Sequence, residues 1–163
     1  MKPLVVDYES KYYEQVAKLL ANFRVVLKGF KGEKAPPDVK DAKEELNFYL
    51  KNKFPLYVAI QEDKVIGYIL LRVDGAIWVE HIYVLDEYRR LGVGSLLYEK
   101  AEEYAQKEKE ETLYNYIHPN NEAIIGFLKS KGYSVLNLIE IRKPYKNEKP
   151  QTKVIVGDNQ FDY

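Results

Sequence analysis

The chain has 163 residues, 25 Lys+Arg against 25 Asp+Glu, no cysteine and 46% hydrophobic residues. That length suits one domain with a sizeable core, and the neutral balance argues against a general nucleic-acid binder, which needs a basic footprint to displace counterions from phosphates. Without cysteine there is no disulfide framework, thiolate nucleophile or cysteine zinc site, and two histidines leave little for any other metal centre.

The first nine residues include Lys2, Asp7 and Glu9, so no apolar signal-peptide core begins the chain. No stretch approaches the ~20 apolar residues a membrane span needs. A cytoplasmic protein with no membrane partner is expected. Abundant lysine and glutamate beside a single methionine also match a composition that accompanies growth at high temperature in some organisms.

Leu4–Val6 is a short apolar run that starts a sheet. After Ser10, apolar residues at Val16, Leu19, Leu20, Phe23 and Leu27 keep the three-and-four spacing of one helix face. A break with Gly29, Gly32, Pro36 and Pro37 follows, and Ala42, Leu46, Tyr49 and Leu50 resume the spacing up to Pro55. Leu56–Ile60 and Val65–Val73, rich in β-branched and aromatic residues, read as a hairpin, and Ile77–Val84 as the next strand. The segment opened by Gly92–Gly94 carries Leu97, Ala101, Tyr104 and Ala105 on one face and is the clearest helix. A strand at Leu113–Ile117 and a helix over Asn121–Lys131, stopped at Gly132, come next. A long strand over Tyr133–Arg142 and a last one at Thr152–Val156 complete the order β-α-α-β-β-β-α-β-α-β-β. We expect an α/β (α+β) fold in one domain, 1–163: a mixed, mostly antiparallel, twisted sheet of about seven strands with helices on both faces.

The stretch from Trp78 to Ser95 carries the chemistry. A strand runs straight into a loop of arginines and glycines that opens a helix, an arrangement that gathers backbone N–H groups and a helix N-terminus around an anion. No Gly-Lys-Ser/Thr follows, so this is not a Walker loop, and Leu97 stands where a dinucleotide fingerprint has its third glycine.

Arg89-x-x-Gly92-x-Gly94 after Ile82-Tyr83-Val84 resembles the acetyl-CoA-binding signature of the GNAT superfamily of N-acetyltransferases. Asn121-Glu-Ala123 through Phe127 to Gly132-Tyr133 is similar to that family's Asn-x-x-Ala…Phe-Tyr…Gly-Phe helix, and the element order also matches. The resemblance implies an enzyme that transfers an acetyl group from acetyl-CoA, its cosubstrate, to an amine acceptor by direct attack, with no metal. The amides of Arg89, Arg90, Leu91, Gly92, Val93, Gly94 and Ser95 would cradle the pyrophosphate. The pantetheine arm would lie along Ile82, Tyr83 and Val84, and a backbone N–H near Val84 would meet the oxyanion. Arg89 and Arg90 would contact phosphate, or form surface ion pairs with Asp86 and Glu87. Asn121 would reach the cofactor, cap its helix, or do both, and Phe127 belongs to the same cofactor set.

The attacking amine must lose a proton to a nearby base. Glu80, inside an otherwise apolar strand, is the candidate, against the alternative that it faces solvent or pairs with an arginine. Strand alternation puts Trp78, Glu80, Ile82 and Val84 on one side and Val79, His81 and Tyr83 on the other, so Glu80 and His81 share a site only if a bulge intervenes. His81 is expected to be a partly buried sheet histidine and His118 a loop cap. Where many members of the family carry the tyrosine that protonates the departing thiolate, this chain has Leu128; Tyr116, Tyr133 and Tyr83 are the remaining acids, or solvent. Tyr8, Tyr12 and Tyr13 are candidates to line the acceptor site. The acceptor is a protein N-terminus, a lysine or a small amine. A non-catalytic acetyl-CoA-binding sensor or scaffold is the alternative, and a homodimer edge is expected from Leu136–Arg142 and the tail Phe161–Tyr163.

Overall fold

A computed structural model describes residues 2–163 and divides them into two compact units, one of residues 2–27 and 34–116, the other of residues 28–33 and 117–163. In the first, β1 (Leu4–Asp7) runs antiparallel to β2 (Leu56–Gln61), with Leu4 opposite Ile60 and Asp7 opposite Tyr57. The two residues joining β2 to β3 (Lys64–Val73), Glu62 and Asp63, both take positive φ, 50° and 62°, as a tight hairpin turn requires if its twist is to follow the strands. Antiparallel β4 (Ile77–Val84) and a short parallel β5 (Tyr114–Asn115) complete a five-stranded sheet in the order β1-β2-β3-β4-β5.

The helices follow their apolar stripes. Val16, Leu19 and Leu20 of α1 (Tyr13–Phe30) and Ala42, Leu46 and Tyr49 of α2 (Val39–Lys51) pack against Leu56, Val58, Tyr68, Leu70 and Tyr83 on one face of the sheet. Tyr12 belongs to that core, with Tyr8 and Tyr13 packed against it. Asp38 caps α2 by accepting from the Asp41 amide at 3.0 Å. On the other face lies α3 (Val93–Lys107), with Leu97, Tyr98 and Ala101 buried. Gly67 lies under it, where a Cβ would stand 2.8 Å from the Tyr83 carbonyl oxygen and 3.3 Å from Leu97 Cδ1. Among the described residues no helix is long and apolar enough to cross a membrane.

The second unit holds α4 (Glu122–Ser130) and a hairpin of β6 (Lys153–Val156) and β7 (Asn159–Asp162). Gly132 follows α4 at φ +92°, the left-handed stop expected of it. Tyr163 continues the hairpin, exchanging backbone hydrogen bonds with Thr152 at 2.9 Å.

Mixed α/β architecture and the mostly antiparallel sheet are as expected, but the strands are distributed differently. Seven strands form as five plus two, and Leu113–Ile117 shortens to Tyr114–Asn115. Tyr133–Arg142 is not a strand: among the described residues no ladder includes it, and Val135, Leu138 and Ile141 are 88%, 77% and 64% exposed. Alternating apolar residues make a segment fit for a sheet, but only a ladder partner makes it a strand. The last pair of strands is instead the β6–β7 hairpin, whose second member, Asn159–Asp162, is too polar for its pattern to stand out.

Candidate functional site

The β3–β4 ladder skips one residue. Leu70 faces His81 and Leu71 faces Val79, which leaves Glu80 as an extra residue on β4, a β-bulge. This corrects the simple alternation: Trp78, opposite Arg72, and His81, opposite Leu70, fall on the same face despite being three residues apart. Glu80 turns to that face too. Its Oε2 accepts from Arg72 Nε at 3.1 Å, and its charge is among the causes that raise the Tyr49 pKa. The carboxylate is 27% exposed, so water and solutes reach it.

Around the bulge two polar clusters form. Arg72 also binds Asp74 Oδ2 through Nη1 at 3.0 Å, and its guanidinium lies 5.5 Å from the Trp78 ring. Trp78 in turn stacks on Tyr116, with centroids 4.6 Å apart and planes at 7°, and leans on Tyr114 at 4.9 Å. The second cluster surrounds His81, 3% exposed. Arg24 of α1 donates to both carboxylate oxygens of Glu45 on α2, Tyr49 donates to Glu45 Oε1 at 2.5 Å, and Arg24 Nη2 lies 3.1 Å from His81 Nε2. A guanidinium can only donate, so Nε2 accepts and the imidazole proton sits on Nδ1, 3.4 Å from the Tyr68 hydroxyl. Burial, reinforced by the Arg24 charge, lowers the His81 pKa from 6.5 to about 3. His81 is therefore a neutral strut under the bulge rather than a proton acceptor.

Beyond the bulge the sheet opens. The β4–β5 ladder consists of Trp78 opposite Tyr114 and Val79 opposite Asn115, so from Glu80 to Val84 one edge of β4 has no strand partner among the described residues. The Leu85 amide donates to Ile66 on β3 at 2.9 Å. N–H directions alternate along a strand, which turns the Val84 N–H and C=O towards the open edge. Arg89 Nε already binds that carbonyl at 3.0 Å, and its Nη2 pairs with Asp86 at 2.7 Å. Of the two expected partners Asp86 takes Arg89, while Glu87 goes to Lys64 at 3.2 Å.

The loop after β4 reverses twice, with Arg90 at φ +61° and Gly92 at φ +83°. Left-handed residues of this kind turn successive N–H groups inward into an anion-binding concavity. Gly92 is the N-cap of α3 and supplies no side-chain acceptor, and no acidic residue occupies the first turn, so the amides of Val93, Gly94 and Ser95 have no side-chain cap. The local geometry fits a phosphate. On the α1 side of the strand end, Asn22, Val25, Val26, Tyr83, Leu85, Asp86 and Glu87 line an open cleft of about 370 Å³. Burial, then the Asp86 charge, pushes the Tyr83 hydroxyl above its ordinary pKa of 10.

The first unit thus gathers Glu80, Ile82, Tyr83, Val84, Tyr116 and the Arg89–Ser95 loop along one strand and its exit. Asn121, Phe127 and Tyr133 lie in the second unit. There Asn121 caps α4, accepting from the Ile124 amide at 3.3 Å, and the carbonyl of His118 accepts from the Asn121 amide at 2.9 Å. The His118 ring contacts the Tyr163 hydroxyl and lies 5.7 Å from Phe30. Arg24 and Arg72 escaped sequence reasoning. For Arg24 a signal existed, since it stands four residues after Leu20, on the apolar side of its helix.

The Acetyltransferase (GNAT) family matches residues 20–133, more than half of the chain. The chain belongs to this family. Among curated proteins it is similar to "Probable N-acetyltransferase san" of Drosophila melanogaster, 27% identical over 99 residues that make up 57% of this chain and 53% of that one. The GNAT chain thus spans about half the length of that relative. Among solved structures, the PaiA N-acetyltransferase of Thermoplasma acidophilum in complex with coenzyme A superposes with a TM-score of 0.68 at 17% identity, covering 80% of this chain and 89% of that one. The aminoglycoside N-acetyltransferase AAC(6')-Iy, in complex with a bisubstrate analogue of CoA, gives 0.63 at 16% identity over 88% and 99%. At such identities the likeness is one of fold.

Proposed function

We propose that this GNAT protein is an N-acetyltransferase that moves the acetyl group of acetyl-CoA to a primary amine, with Glu80 as the general base. The observation that carries the reading is the bulge, which turns a solvent-reachable carboxylate out of the sheet where the β4 edge begins to open. The complexes of the two structural neighbours, with coenzyme A in one and a CoA bisubstrate analogue in the other, support the same donor here. The family match runs from residues of the first unit into the second, which supports reading the whole as one acetyltransferase domain.

In this reading the uncapped amides of Val93, Gly94 and Ser95, with the Arg90 and Gly92 turns, receive the pyrophosphate. The pantetheine pairs with the open edge at Ile82–Val84, and the Val84 N–H meets the carbonyl oxygen as it gains charge. Arg89 holds the loop through Val84 and Asp86 rather than binding phosphate. Glu80 takes the proton of the amine as it attacks, directly or through one water. The departing thiolate collects a proton from solvent or from Tyr83, whose hydroxyl is protonated at neutral pH. The acceptor enters by the cleft between α1 and the end of β4, whose volume is that of a small-ligand site.

Thiol release from acetyl-CoA against a panel of peptides and polyamines tests the activity. Turnover with one class identifies the acceptor, whereas acetyl-CoA binding without turnover on any would replace the enzyme by a non-catalytic cofactor-binding module. For the base, Glu80→Gln is expected to lower kcat by at least ~10²-fold with acetyl-CoA affinity near wild type. Unchanged turnover would remove Glu80 from the reaction.

A further inference from the structure

We propose that Arg72 is a positioning residue for the Glu80 base: it holds one carboxylate oxygen so that the other faces the acceptor amine. This rests on the assignment of Glu80 as base. A bulged residue lacks the ladder neighbours that fix an ordinary strand side chain, so its carboxylate needs another restraint. Arg72 provides it in a defined direction. Nε donates to Glu80 Oε2 at 3.1 Å, and among the described residues Oε1 accepts no hydrogen bond.

The guanidinium is itself held on separate sides. Asp74 binds Nη1 at 3.0 Å, and the Trp78 ring supports the plane from 5.5 Å, with Tyr116 stacked on that ring. Arg72 stands directly opposite Trp78 in the ladder, so the backbone register places the fork beside the bulge. Lysine does not reproduce this, because a point charge on a flexible stem cannot bind two carboxylates in a fixed plane.

The test is a double-mutant cycle on kcat with acetyl-CoA saturating, using Arg72→Met, Glu80→Gln and the pair. Arg72→Met in the wild-type background is expected to lower kcat by roughly 10- to 100-fold, the scale of a misplaced reacting group, with the KM for acetyl-CoA unchanged. In the Glu80→Gln background the same change is expected to cost less than about twofold, since there is no base left to aim. Asp74→Ala, at an exposed position that does not endanger folding, is expected to lower kcat by a few-fold through the same route. Equal losses from Arg72→Met in both backgrounds, or an unchanged kcat in Arg72→Met and Asp74→Ala, would overturn the proposal and leave the base assignment intact. An unchanged kcat in Glu80→Gln would overturn the base assignment and this proposal with it.

Discussion

His81→Gln should flatten the acid side of the stability profile. In the folded protein the imidazole is buried against Arg24 with its pKa lowered from 6.5 to about 3, whereas the unfolded chain keeps the ordinary value. Above pH 6.5 both states are neutral at this site and the full stability is present. As pH falls from 6.5 towards 3, the unfolded chain binds a proton that the folded one refuses, and stability drops by about 1.4 kcal/mol per pH unit. From pH 7 to pH 5 the loss at this one residue is about 2 kcal/mol, and across the whole window it approaches about 5 kcal/mol. Glutamine has no such proton to take up, and its side-chain oxygen can still accept from Arg24. Urea unfolding at pH 7, 6 and 5, followed by circular dichroism, should give a wild-type free energy that falls about 2 kcal/mol more than the variant's over that range. Parallel profiles for the two proteins would refute the neutral-strut account. A wild-type imidazole resonance titrating near 6.5 in NMR would do the same.

Other consequences are as direct. Gly67→Ala puts a Cβ 2.8 Å from the Tyr83 carbonyl oxygen and 3.3 Å from Leu97, backbone and helix that cannot both yield, and should cost about 1–3 kcal/mol of unfolding free energy in urea. Gly92→Ala meets open space but must hold φ +83°; the strain of about 1–2 kcal/mol should lower the unfolding free energy in urea or, where the free loop relaxes to escape it, weaken acetyl-CoA binding roughly tenfold by calorimetry. The loss of turnover in Glu80→Gln completes this set, and its normal acetyl-CoA affinity separates it from Gly92→Ala.

What could be read without coordinates was what local pattern controls. The stripes Val16–Leu20 and Ala42–Tyr49 marked two helices because burial repeats every three or four residues, and Gly92 marked the loop because few other residues tolerate its left-handed backbone. The skipped residue at Glu80 was not legible. Alternation assumes an unbroken ladder, and a bulge shows only when the opposite strand is paired residue by residue. Arg24 and Arg72 stayed hidden for a related reason, since their carboxylate partners lie 21 and 8 residues away on other elements. In Tyr133–Arg142 the error ran the other way: propensity marked a strand, and no ladder formed.

The ladder between β3 and β4 is regular above the bulge and regular below it. Removing Glu80 from the chain would close Leu70/His81 directly onto Leu71/Val79 and leave a sheet with every backbone pair it has now. The side chain it carries is a carboxylate, the kind least at home among Trp78, Val79, His81 and Ile82. The β2–β3 ladder skips Ile66 in the same way, but that residue is fully buried, so what sets the bulge on β4 apart is a charged side chain that solvent reaches.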